Sequence, residues 1–415
     1  MLHPHTSSNV QNEMPRMRPE DELLLLSGRH KTRRDRTERQ REILSLGLDW
    51  NYLIKSARNH RMVPLLHRTL TSHYRDLVPD DFLNELIRSN LLNAKRNIIL
   101  ANELIHVIMC LEDNGIPVMP FKGPVLAMSA YGGLFLRQFD DLDILIPPSK
   151  IGEADKLLHS LGYKEDQLHS RISEAQKSAM QKYQHHHHFY CPAKKVHLEV
   201  HWALSPELYS FHQESVHLWD RSEPVTLLSR ELRGLSLEDT LVLLCDHAVR
   251  HQWNRLSWIS DVAMLLGSEC INWDFVMERA REWRAKRALL LGLLLAKDLL
   301  DASLPKDING EVDEDLRAKS LAYEVVGSLF CESGAPEKLS LDPVSRNIHD
   351  QLFYIKARDN LRDRTMLYLR LVTTPTVEDW NYLSLPDPLF PLYHLIRPIR
   401  QANEYRMKIL DWILR

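Results

Sequence analysis

The sequence predicts an α+β fold, with a small mixed β-sheet embedded in a mainly helical chain. Three observations predict it. Only 14 glycines in 415 residues leave little room for the tight turns of an all-β chain. On both sides of residues 116–228, leucines and isoleucines recur at helical spacing. Between those stretches lie short runs in which apolar and polar residues alternate with the two-residue period of a strand. The chain divides accordingly into a disordered tail at 1–18, an N-terminal helical region at 19–115, an α/β core at 116–228 and a C-terminal helical region at 229–415.

Composition narrows the class. Lys plus Arg number 53 against 56 Asp plus Glu, a formal net charge of −3, so the chain is not built mainly as a sleeve for nucleic acid. The content of 44% hydrophobic and 26% charged residues is that of a water-soluble globular protein. The 5 cysteines (Cys110, Cys191, Cys245, Cys270, Cys331) are scattered without a Cys-x-x-Cys pair. They read as reduced thiols of a cytoplasmic protein. The apolar run Ala288–Ala296, bounded by Arg287 and Lys297, is too short to span a bilayer. The polar start through Arg18 lacks the apolar stretch of a secretory leader.

In order along the chain, helices are expected from Pro19 to Cys110, with Asp49 as an N-cap. The charge run 31–41 reads as a solvated helix face with internal Glu/Arg pairs, in preference to a nucleic-acid contact. Phe82 to Asp113 reads as one long amphipathic helix, stopped by Asn114 and Gly115. The αβ part follows: a strand near Val118–Phe121, a Lys122-Gly123 turn, a helix, a loop carrying Arg137, and a strand over 141–146. A helix over 150–161 leads to a short strand at 163–165, and strands 184–190 and 196–204 form a hairpin. After a brief strand at 224–227, Ser236 with Glu238 and Asp239 marks a helix start, and the chain is helical almost to its end. The proline-punctuated apolar segment 385–398 is expected to pack on the surface of the domain rather than meet a membrane or partner.

The chemistry concentrates in the two central strands. Asp141 and Asp143, two residues apart on a strand, project to one face, and paired carboxylates at the mouth of an apolar strand are costly without a cation. A hard divalent ion with oxygen ligands, Mg²⁺ or Mn²⁺, is their natural partner. Asp140 reads as a loop-exposed acid. In the second strand Val196, Leu198 and Val200 face one way while His197, Glu199 and His201 face the other. If the two strands are neighbours, Glu199 becomes a third carboxylate around the same ions, which suits two-metal transfer, one ion activating the attacking hydroxyl and the other holding the triphosphate and the departing pyrophosphate.

These residues resemble the bacterial "uncharacterised nucleotidyltransferase" family, within the polymerase-β-like nucleotidyltransferase superfamily. The resemblance rests on Lys122-Gly123, Arg137, Asp141 to Asp143, Leu198 to Trp202 and the stretch His247 to Asp261, and extends from about Glu20 to Arg400. It implies a nucleotidyltransferase-type sheet, with Asp141, Asp143 and Glu199 as both catalytic residues and metal ligands. It implies an NTP, expected to be ATP, as substrate and Mg²⁺ or Mn²⁺ as cofactor. The wider superfamily carries Gly-Ser where this chain has Lys122-Gly123. Gly123 lets the backbone approach a phosphate and Pro124 opens a helix whose N-terminus faces that anion. Lys122 and Arg137 are the expected phosphate-binding side chains. His201 is expected to orient Glu199 or contact substrate. His247 and His251, one turn apart, line the nucleotide or acceptor pocket or else form an interhelical polar network that includes Asp261.

The run His185–His188 reads as strand residues near the site mouth, because a zinc reading needs a further ligand cluster that the sequence does not locate. The function expected is transfer of an NMP from an NTP to a small molecule, protein or RNA. The alternatives are a toxin-like transferase acting on tRNA or protein, a catalytically inactive partner-binding module, and a zinc hydrolase using the histidines.

Overall fold

The computed structural model describes residues 17–29, 34–165, 173, 175–176, 179, 185–205, 216–268, 270–330 and 351–413. The expected tail, apart from Met17 and Arg18, lies outside them, as does residue 331 with its cysteine. The chain is α+β, mainly helical around a small mixed sheet. The order of that sheet is β1-β2-β5-β4-β3: β1 (Met119–Phe121), β2 (Asp141–Leu145), β3 (Lys164–Glu165), β4 (His186–Cys191) and β5 (Val196–His201). Only β2 and β5 run parallel; the other neighbours are antiparallel. β6 (Glu223–Leu227) and β7 (Arg230–Gly234) form a separate hairpin. The sequence reading anticipated the first of these strands and not the second.

Local chemistry accounts for the helices that frame the sheet. The Asp49 carboxylate accepts from the Tyr52 N–H and caps helix Trp50–Asn59. The long helix Asp80–Asp113 ends at Asn114, and Gly115 takes a φ of +69°, a left-handed conformation natural to glycine. Ser236 accepts from the Asp239 N–H at the start of helix Leu237–Arg250. From the charge run, Arg39 on helix Arg34–Leu44 pairs with Glu42 on the same helix and with Glu22 on the preceding helix Pro19–Ser27.

One face of the sheet is apolar. Leu142, Ile144, Leu198, Val200 and Phe189 are buried there against Leu100, Leu104, Val107 and Leu111 of the long helix. At about 1.5–3 kcal/mol for each large aliphatic side chain removed from water, this face anchors the strands. A larger core takes Leu23 and Leu24 from the N-terminal region and Leu241, Leu289 and Leu293 from the C-terminal one, so the two helical regions pack together. Phe121 and Leu145 join that core from the sheet. Among the described residues no helix is long and apolar enough to cross a membrane. In the proline-punctuated segment, Tyr393 is fully buried while Leu389, Leu392 and Leu395 stay exposed.

Candidate active site

Register builds the site. In the parallel pair, Asp143 lies beside Glu199 and Asp141 beside His197. In the antiparallel pair, His188 lies opposite Glu199 and His186 opposite His201. Because residues in register share a face, Asp141, Asp143, Glu199, His201, His186 and His188 all project from the side opposite the apolar core. His187 points to the apolar face, where its Nδ1 lies 3.4 Å from Asp155 Oδ1. His185 precedes β4, yet its ring lies 5.2 Å from that of His201.

Lys122 occupies the turn between β1 and helix Gly123–Tyr131. Its backbone takes φ +56° and ψ −150°, a region close to glycine-only, which costs on the order of 1–3 kcal/mol. The Gly123 φ is +43°, and a Cβ there would sit 3.4 Å from the Asp141 carbonyl. Strain is therefore concentrated at the point where a lysine ammonium must face the acids. Lys122 Nζ lies 3.3 Å from Asp143 Oδ1. No side chain caps the start of the nine-residue helix Gly123–Tyr131, where Pro124 contributes no N–H.

The carboxylates differ in their surroundings. Burial raises the Asp141 carboxyl, and the negative neighbours Asp143 and Glu199 raise it further. Burial also pushes Asp143 up, but Lys122 and His201 outweigh it and hold the group below the usual aspartate value. Glu199 is likewise lowered, its desolvation overcome by His201 and then by His186 and His188. His201 Nε2 lies 3.2 Å from both Asp143 Oδ1 and Glu199 Oε2, and its ring meets Phe121 edge-on at 4.9 Å. One imidazole thus touches both acids.

A cavity of about 410 Å³ opens beside Glu199, walled by Lys122, His185, His186, His247, Arg250 and Tyr354 among others. The rings of His247 and His251 lie 4.8 Å apart, tilted by 53°, and both line it. Burial holds His247 and His185 well below the ordinary histidine value, and brings His186 to about 3, so these rings are neutral at pH 7.

Arg137 departs from expectation. Its Nε and Nη2 donate to the two carboxylate oxygens of Asp261 at 2.8 and 2.9 Å, and Nη1 donates to the Gly123 carbonyl at 3.4 Å. Tyr131 donates to the same Asp261 at 2.7 Å. With Asp261 1% exposed, this bidentate pair ties the loop before β2 to helix Leu256–Leu265, and its fork is not turned to a phosphate. Asp261 accordingly belongs to this pair, and not to a network with His247 and His251. Asp140 is half-exposed at the surface and pairs with Arg61. Arg61 and Arg255 act electrostatically on Asp141 and Asp140, cations that the sequence reading did not single out. Nothing in their spacing signalled it, since Arg61 is 79 residues from Asp140.

A family model described as uncharacterised nucleotidyltransferase matches residues 47–301, more than half of the chain. Among solved structures, the crystal structure of ANT(2")-Ia in complex with adenylyl-2"-tobramycin is 14% identical, with a TM-score of 0.31 over 44% of this chain and 97% of that one. The solution structure of the antibiotic-resistance factor ANT(2'')-Ia is 15% identical, with a TM-score of 0.29 over 45% and 93%. No curated protein matches.

Proposed function

Since this chain belongs to the uncharacterised nucleotidyltransferase family, we propose that it transfers an NMP from an NTP, ATP in the first instance, to an acceptor, with Asp141, Asp143 and Glu199 as the metal-binding catalytic acids. The observation that carries this reading is the parallel register of β2 and β5, which sets Asp143 beside Glu199 on one face with Asp141 two residues away. Asp143, Glu199 and His201 each offer a donor atom within 4.8 Å of the others, and Asp141, on the same face, is raised by burial and by its negative neighbours; the carboxylate oxygens are donors that Mg²⁺ and Mn²⁺ prefer. When bound, the ion supplies charge neutralisation at the phosphates and activation of the attacking hydroxyl.

The chain's own groups do the remainder. The Lys122 ammonium and the uncapped start of helix Gly123–Tyr131 receive the triphosphate, with Gly123 allowing close backbone approach. Arg61 and Arg255 add positive potential on the Asp141 side. His201 holds Asp143 and Glu199 in their ionised form. An acceptor oxygen attacks the α-phosphorus, the bond to the β-phosphate oxygen breaks, and pyrophosphate leaves toward Lys122. His247 and His251, on the far wall of the cavity, contact the acceptor or the nucleotide base. The acceptor is a small molecule, a protein or an RNA.

Incubation with each α-labelled NTP, Mg²⁺ and a cell extract tests the proposal. Label should appear on one class of acceptor and vanish with Asp143→Ala. Label transfer that persists in Asp143→Ala and in Glu199→Ala overturns it.

A further inference from the structure

Beside the three acids, the same sheet face carries a second and chemically different set of donors. His186 and His188 are two residues apart on β4, so both rings project to the Glu199 side. His188 Nε2 lies 3.4 Å from Glu199 Oε1, and His186 Nε2 lies 4.0 Å from Glu199 Oε2. One donor atom from each of His186, His188 and Glu199 lies within 4.8 Å of the others. Around a tetrahedral ion with bonds of about 2.0–2.2 Å, neighbouring ligand atoms sit roughly 3.3 Å apart, so small side-chain shifts close the site.

Two further observations point to a ligand. The other ring nitrogen of His186, Nδ1, lies 3.1 Å from Nδ1 and 3.2 Å from Nε2 of the His185 ring, which stands edge-on to it, while Nε2 lies toward Glu199. Metal-binding imidazoles are oriented in this way by a partner on their second nitrogen. Beneath the cluster His201 is 2% exposed, and neither of its ring nitrogens makes a hydrogen bond of good geometry, although Nε2 is 3.2 Å from Glu199 Oε2. A buried imidazole nitrogen is thus held against the shared carboxylate and against Asp143.

We propose that His186, His188 and Glu199 bind a borderline transition-metal dication of the zinc class, at a site separate from Asp141 and Asp143. Imidazole nitrogen selects Zn²⁺, Co²⁺ or Ni²⁺ over Mg²⁺, whereas the aspartate pair selects the harder ions. Three protein ligands leave a fourth position open, and it faces the cavity of about 410 Å³. Glu199 is the one residue common to both sites. An ion held by the histidines draws that carboxylate toward β4, so each ion lowers the other's affinity by the same factor. The proposal stands on the histidines and does not require that transfer occurs.

The test is a titration of the full-length protein, stripped with a chelator, with Zn²⁺ and with Co²⁺ in excess Mg²⁺. One equivalent should bind, and the Co²⁺ form should show the visible absorption of a nitrogen-ligated site. His188→Gln removes a direct ligand and should weaken Zn²⁺ binding by more than about a hundredfold, beyond the roughly tenfold to hundredfold loss seen for outer-shell partners. The His188 side chain is 54% exposed, so this variant should fold, and an unchanged unfolding curve verifies it. Asp141→Asn should retain Zn²⁺ binding while losing label transfer, which separates this site from the transferase reading. Unchanged Zn²⁺ affinity in His188→Gln, or its loss in Asp141→Asn, overturns the proposal.

Discussion

Two cation–carboxylate pairs, Lys122–Asp143 and Arg137–Asp261, have their cations only fifteen positions apart, yet they are built for different work. Arg137 is planar, makes two short hydrogen bonds to one carboxylate, and shares that carboxylate with Tyr131. Its partners leave it nowhere to go. Lys122 makes a hydrogen bond of 3.3 Å from a flexible stem, on a strained backbone, toward an acid that also touches His201. A point charge on a rotatable stem exchanges partners readily; a bidentate fork does not. The first pair therefore suits a site where charge must be handed to a substrate, the second a strut that holds the loop before β2.

The sharpest way to test this division is to remove each acid's function in turn. Asp143→Ala or Glu199→Ala should reduce label transfer by more than about 10³-fold, the scale of losing a charge-stabilising group in phosphoryl transfer. Both variants should keep their far-ultraviolet circular dichroism. Transfer near the wild-type rate in either would place the reacting phosphate elsewhere.

Arg137→Ala should act on stability. It leaves Asp261 buried with only the Tyr131 hydroxyl, and breaking a buried pair from one side costs about 3–5 kcal/mol. Thermal unfolding measures it. A variant of normal stability whose KM for NTP rises would return Arg137 to the phosphate-binding set.

Lys122 should show the reverse. Lys122→Ala is expected to weaken NTP binding roughly tenfold to a hundredfold, the scale of losing a charged hydrogen bond. Its stability loss should be smaller than that of Arg137→Ala. Lys122→Gly should be equally defective in binding and yet more stable than Lys122→Ala by about 1 kcal/mol, because φ +56° with ψ −150° suits glycine. Equal stability of the two variants would show that the turn stores no strain.

The same contrast shows what a sequence discloses. Local signals were legible: the caps at Asp49 and Ser236, the long helix expected over 82–113 and found over Asp80–Asp113, and the apolar alternation of β2 and β5. Each depends on neighbours within a few residues. Arg137 and Asp261 are 124 residues apart, and neither position advertises its partner. β7 escaped notice because the turn before it puts Leu228 at φ +55°, without the glycine or asparagine that usually marks a two-residue hairpin. The alignment of His186 and His188 with Glu199 depends on hairpin register, where a slip of one residue moves every side chain to the other face. The sequence held the ligands of that cluster in plain view, but not their common face.

A third buried acid, Asp21, differs from both in its pH dependence. Asp21 is 1% exposed and has hydroxyls in place of a close cation: Tyr52 donates at 3.0 Å and Ser56 at 3.4 Å. Burial outweighs those bonds and lifts its carboxyl from 3.8 to about 6. The folded chain thus holds this proton more tightly than the unfolded one. The stability that Asp21 contributes is fully present below pH 3.8, falls as pH rises from there to about 6, and is lost above that. Asp143, lowered by Lys122 and His201, has the opposite slope: its contribution is present above 3.8 and disappears as pH falls through its folded value. Asp21→Asn should therefore gain stability relative to the parent across pH 4 to 6, by on the order of 2–3 kcal/mol, and level off by pH 7. Asp143→Asn should lose stability at pH 7 and converge on the parent in acid. Urea unfolding at a series of pH values reads both slopes, and parallel curves for the two variants would show that the cation beside Asp143 makes no difference.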